Sequence, residues 1–135
     1  MTWNIYLSGE IHTDWRKVII SEVEKLNLNV NFCYPVLDHQ SSDDCGAKLL
    51  GDEESKFWYD HKAAKLNALR TQNSIKNSDI VIVRFGEKYK QWNAAYDAGF
   101  AVALGKSLIV IHGEEHQHAL KEVDAMALAV LNDPL

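Results

Sequence analysis

Residues 91–106 read QWNAAYDAGFAVALGK, and between its polar ends the segment carries one acidic side chain, Asp97. Its neighbours are alanines, glycines and aromatic residues. A carboxylate is costly to keep in such company unless a partner pairs with it or a reaction uses it. From the residues alone two readings stay open. Asp97 faces a ligand crevice, or the segment is a tightly packed core helix with Asp97 turned to water. Asn93, one turn earlier, is the expected N-cap and lies on the same helix face. Free backbone N–H groups and the positive dipole end at such a helix start suit an anionic or hydroxyl-rich ligand.

Other constellations are weaker. HGEEHQH offers His112, His116 and His118, and the first two are four apart, as helical metal ligands can be. No fourth ligand accompanies them, so the segment reads as a solvated helix start and no metal is expected. Cys33 and Cys45 lack metal-ligand spacing, and neither sits at a helix start that would activate a thiol. Reduced thiols in a cytoplasmic protein are the expectation. Neither a GxGxxG fingerprint nor a phosphate-binding P-loop occurs, and no Gly-x-Ser-x-Gly elbow. A phosphoacceptor domain needs paired acids after its first strand, where Glu10 stands alone. No cofactor is therefore expected.

The elements that must position Asp97 follow from hydrophobic patterning. Residues 3–8, WNIYLS, form a short apolar run ending at Gly9 and read as a buried strand. A helix follows, capped near Thr13, with Trp15, Ile19, Val23 and Leu26 on one face. NVNFCYPV is a second strand, stopped by Pro35. Residues 38–55 lose all periodicity and read as a long polar loop, either a lid over a site or a disordered excursion. A helix is expected from Lys56 to Lys76. SDIVIVRF is the clearest strand, followed by the Asp97 helix and a fourth strand, SLIVIH. A final helix carries Ala119, Val123, Met126, Ala127 and Val130 on one face. Gly99 within the Asp97 helix is expected to mark close packing against the sheet.

Strands alternating with helices, apolar on both faces, predict a three-layer α/β domain with helices on both sides of an open parallel sheet. A flavodoxin-like order 2-1-3-4 fits, with a fifth strand unplaced. Residues 1–135 are expected to form one domain. Ligands of open parallel sheets bind outside the strand C-termini where strand order reverses, here between strands 1 and 3. SGEIHTDW and RFGEKYKQWN feed that crevice, which makes Ser8, Gly9, Glu10, Gly86, Trp92 and Asn93 candidate ligand contacts.

Composition narrows the partners. The net charge is −5 with no basic cluster, which disfavours a nucleic-acid polymer. No apolar run is long enough to span a bilayer, and the first residues lack the pattern of a secretion signal.

With the crevice assigned, IYLSGE and NAAYDAGFAVALGK resemble the nucleoside 2-deoxyribosyltransferase-like superfamily. That superfamily opens with IYxxG and carries GxxxELGxAxxxxK on the helix after strand 3. More closely, SGEIH…WR and FGEKYKQWN…D resemble the YtoQ family, a branch of it, over essentially the whole chain. The resemblance implies that Asp97 stands in the place of a nucleophilic glutamate and that Tyr6 contacts that carboxylate. It implies that Gly9 lets a sugar approach the backbone and that Trp92 offers a stacking surface. The chemistry implied is attack on the anomeric carbon of a nucleoside or nucleotide, with transfer of the sugar to another base or to water. Two positions depart from the pattern. The nucleophile is Asp, one methylene shorter, and Thr71 stands where an acid helps the base depart. A general acid is typically worth about 10²–10⁴-fold, and the residues left to supply one are Glu10, Asp38 and His39. A non-catalytic nucleoside-binding module is the alternative, followed by other chemistry on the same scaffold. The resemblance also implies a homo-oligomer, for which FWYDH at 57–61 is a candidate contact or ordinary core.

Overall fold

A computed structural model describes residues 1–135. The chain runs β1 (Trp3–Gly9), α1 (Trp15–Lys25), β2 (Val30–Cys33), α2 (His39–Leu50), α3 (Lys56–Lys76), β3 (Ile80–Phe85), α4 (Trp92–Ala103) and β4 (Ser107–His112). A 3-10 turn (Glu114–His116), α5 (Lys121–Met126) and β5 (Ala129–Leu131) complete it. The five strands form one parallel sheet in the order β2-β1-β3-β4-β5. Strand alternation sorts the core into two layers. Ile5, Leu7 and Ile82 pack with Trp15 and Ile111 on the α1 face. Tyr6, Val81 and Val83 pack with Ile75, Ala94, Ala98 and Ala101 on the opposite face, under α3 and α4. The fold is the expected flavodoxin-like α/β sheet. No helix is long and apolar enough to cross a membrane.

Several local expectations are corrected. The polar stretch after Asp38 is helical: Asp38 accepts a hydrogen bond from the Ser41 N–H at 2.7 Å and starts α2. Only Cys45 and Gly46 of α2 are buried, so the helix shows almost no apolar periodicity. It is held instead by close approach to α3, since a side chain on Gly46 would stand 2.4 Å from the Ala63 nitrogen. The last helix is shorter than expected, ending at Met126. Val130 belongs to β5, which pairs with β4 in the register Val110–Val130 and supplies the fifth strand. Asp14, not Thr13, is the N-cap of α1, and Thr13 turns back to Glu10. Gly99 meets nothing within 4 Å, and the close packing of α4 is made by its alanines.

Candidate active site

β1 ends at the switch point between β1 and β3, and its last turn is fixed by buried charge. Gly9 has φ +110, and a Cβ there would lie 2.0 Å from the Arg84 carbonyl oxygen, so only glycine fits. Arg16, 3% exposed, donates Nε–H to the Leu7 carbonyl at 3.0 Å and Nη1–H to the Glu10 carbonyl at 2.7 Å. Its remaining nitrogen reaches the Gly9 carbonyl at 3.2 Å. Burial lowers its pKa to about 10, which leaves it charged at neutral pH. Trp15 adds an indole N–H to the Glu10 carbonyl at 3.0 Å. The pair Trp15-Arg16 therefore clamps the carbonyls that end β1. Its signal in the sequence is an arginine in the first turn of an apolar helix face, where a free cation is costly.

The Glu10 carboxylate is equally engaged. It accepts the His12 N–H at 2.7 Å, the Thr13 N–H at 3.1 Å and the Thr13 hydroxyl, with Arg84 Nε at 3.5 Å. Burial would raise its pKa, but these donors and the guanidinium outweigh it and hold the group below the usual carboxylate value. Glu10 is thus an anchor for the turn and no proton donor.

Asp97 lies one turn into α4, partly buried, and its Oδ2 accepts the Ser8 hydroxyl at 2.6 Å. Burial raises its pKa to about 6 despite that hydrogen bond. Ser8 projects from the same sheet face as Tyr6. The Tyr6 hydroxyl does not contact the carboxylate: it pairs with Thr71 Oγ1 at 3.3 Å, and Ser8 takes the orienting position. Burial pushes the Tyr6 phenol up to about 12.

A cleft of about 900 Å³ opens over these groups. Asp97, Tyr6, Gly9, Glu10, Trp92 and Asn93 all line it. Asn93 sits inside the first turn rather than capping it, because Gln91 precedes the helix. Ser8 is fully buried behind Asp97 and does not line the cleft. Gly86 is also outside the lining. Its N–H donates to Gln91 Oε1 at 3.0 Å and its carbonyl lies 3.1 Å from His116 Nε2, so both backbone groups are spent on the β3–α4 turn. The opposite wall comes from α2 and α3, through His39, Ser42, Asn67 and Thr71. His12 stacks on His39 at 5.2 Å and tilts against Tyr89 at 4.9 Å, joining three separate segments at the cleft. Residues expected as a long loop, a lid or a disordered excursion, therefore supply a helix that walls the cleft.

The histidine cluster lies elsewhere. His112, 2% exposed, ends β4 with Nε2 at 2.8 Å from an Asp124 oxygen and Nδ1 at 2.7 Å from the Gly113 carbonyl. It is a core ion pair and not a solvated helix start.

The arrangement offers a partly desolvated carboxylate in the lining of a cleft that the first turn of α4 also borders. The family model described as "Nucleoside 2-deoxyribosyltransferase YtoQ" matches residues 6–135. The Bacillus subtilis protein titled "Uncharacterized protein YtoQ" is 42% identical over 127 residues, spanning 94% of this chain and 86% of that protein. A crystal structure of a conserved protein from Enterococcus faecalis superposes with a TM-score of 0.64 over 99% of this chain and 93% of that one. At 13% identity, that likeness concerns the fold. The chain belongs to the YtoQ family of nucleoside 2-deoxyribosyltransferase-like proteins.

Proposed function

We propose that the protein cleaves the N-glycosidic bond of a nucleoside or nucleotide, with Asp97 as the nucleophile. The carrying observation is Asp97 itself: a cleft-lining carboxylate held by Ser8 at 2.6 Å, with its pKa raised to about 6. Such a group is mostly ionised at neutral pH yet poorly solvated, which favours attack on an electrophilic carbon. An Asp97 oxygen bonds to the anomeric carbon as the C–N bond breaks through an oxocarbenium-like state. Water or an incoming base then takes the sugar from the ester, making the protein a hydrolase or a deoxyribosyltransferase. The α4 N-terminus and Asn93 receive the sugar hydroxyls or a phosphate, and Trp92 offers a stacking face. The same family reading has copies of the chain assembling into a homo-oligomer.

Incubation with ribo- and deoxyribonucleosides and their monophosphates, followed by chromatography for free base, tests this. Base release that vanishes in Asp97→Asn supports the enzyme. A second reading, nucleoside binding without turnover, is favoured by Thr71, a hydroxyl paired with Tyr6 where an acid would aid departure. It predicts thermal stabilisation by a nucleoside with no base released.

A further inference from the structure

Beside the main cleft lies a side pocket of about 120 Å³, room for about four water volumes or one small heterocycle. Tyr6, Ser42, Asn67 and Thr71 line both spaces, so the pocket opens off the cleft that holds Asp97. Two features of its chemistry stand out. No Asp, Glu or His lines it, and the Tyr6 phenol, with its pKa near 12, is a poor acid at neutral pH. A group departing into this pocket finds no proton donor. Its lining includes one charged residue, Arg70, an exposed residue of α3. None of the chain's seven ion pairs includes Arg70. The histidines and carboxylates of the site, Glu10, His12, His39, Asp43, Asp60 and Asp97, line only the larger cleft.

A leaving heterocycle that cannot be protonated must depart carrying the electron pair of the broken bond. A guanidinium presents planar, permanently charged donors that match the oxo edge of such an anion. We propose that the side pocket receives the departing heterocycle as an anion stabilised by Arg70. The preferred substrates are then N-glycosides of pyrimidinediones or purinediones rather than of aminopurines. The proposal rests on the Asp97 reading above and names its substrate class.

The step balances without an acid. An Asp97 oxygen forms a bond to the anomeric carbon, and the C–N pair moves onto the ring nitrogen and its oxo groups beside Arg70. Water then attacks the anomeric carbon of the ester, its hydroxyl stays on the sugar, and its proton ends on the released heterocycle. Asp97 is regenerated as a carboxylate. Aminopurines lack this route, because their departure is eased by ring protonation that the pocket does not supply.

The test measures binding and turnover separately, in the wild-type protein and in Arg70→Gln. Free 5-fluorouracil, whose ring N–H is acidic, and adenine are titrated calorimetrically at pH 7 and pH 9. The expected result is a gain approaching about tenfold in fluorouracil affinity at the higher pH, in step with the fraction of anion, absent in Arg70→Gln, with adenine affinity flat. In turnover, 5-fluoro-2′-deoxyuridine is expected to react faster than 2′-deoxyuridine and both faster than 2′-deoxyadenosine. Arg70→Gln is expected to lower kcat on the fluorinated substrate at least tenfold. Fluorouracil affinity that is flat with pH, or that rises equally in Arg70→Gln, overturns the proposal. So does Asp97-dependent release of adenine as fast as uracil. If no nucleoside is cleaved at all, the Asp97 reading fails, and the binding arm alone still decides whether the pocket holds an anion.

Discussion

Asp97 carries a cost that its surroundings do not repay. Its folded pKa, about 6, stands above the ordinary value of 3.8 because burial disfavours the charged form. With a raised folded pKa, its contribution to stability is fully present below pH 3.8 and is lost as pH rises through 6. Two pKa units correspond to roughly 3 kcal/mol as an upper bound. Asp97→Asn is therefore expected to be more stable than the wild type at pH 8, by about 1–3 kcal/mol, and equal to it near pH 3.5. Urea midpoints at the two pH values check this, and a loss of stability at pH 8 would make Asp97 a structural residue. Catalysis should show the same group, with kcat/KM falling below about pH 6 as Asp97 is protonated. Asp97 was legible in the sequence because a lone charge stands out in an apolar helix. Ser8 was legible only as a loop residue. Its bond to Asp97 depends on strand register and helix placement together, and no spacing in the chain encodes that.

Helices and strands differed in how openly they announce themselves. β3 and β4 are continuous apolar runs and were plain, whereas α2 was hidden because it is held by the backbone approach at Gly46 rather than by an apolar stripe. That contact makes Gly46→Val a sensitive probe. The added carbons would stand against the Ala63 and Lys62 backbone, and overpacking of this kind costs about 1–3 kcal/mol. Displacing α2 also shifts His39 and Ser42, so the substrate KM should rise while Asp97 keeps its pKa. Steady-state kinetics with denaturation curves check both. The C-terminal segment misled in the opposite way: Val123, Met126, Ala127 and Val130 keep helical spacing, but Val130 finds a ladder partner on β4 and joins the sheet. His112 fixes the same region. Both its ring nitrogens face acceptors, Gly113 and Asp124, with Glu115 nearby, and these favour the protonated imidazole. Burial would lower its pKa, but those partners outweigh it and raise it. Its contribution is present below the ordinary pKa near 6.5 and fades as pH rises through the raised value. His112→Gln should cost about 1–3 kcal/mol at pH 6 and less at pH 9, measured by urea midpoints. An equal cost at both would show that the imidazole is uncharged.

The whole chain forms a sheet whose ligand crevice was predictable from topology alone, since an open parallel sheet reverses order at only one place. What topology could not give was the second wall, because it depends on α2. Nor could it give the side pocket, which exists only where β1, the segment after β2, α2 and α3 meet. The exposed face carries large side chains: Trp92 is 76% exposed, Phe57 66%, Tyr96 59% and Trp58 54%. Phe57, Trp58 and His61 pack on one another, leaving an aromatic cluster in water, and such patches mark association sites. We propose that a second copy of the chain covers this cluster. Sedimentation should give at least twice the monomer mass of 15.3 kDa, falling to the monomer in Trp58→Glu. A monomeric wild-type protein at micromolar concentration would remove that assembly.

The central claim is a covalent bond between sugar and Asp97. It is tested most directly by reacting the protein with a nucleoside whose sugar carries fluorine at the 2-position, which slows breakdown of the glycosyl ester, and mapping the product by mass spectrometry. The account predicts one added sugar mass on the peptide containing Asp97, with a stoichiometric burst of free base and no label in Asp97→Asn. Base released without a labelled peptide, or a label carried by another residue, would contradict it.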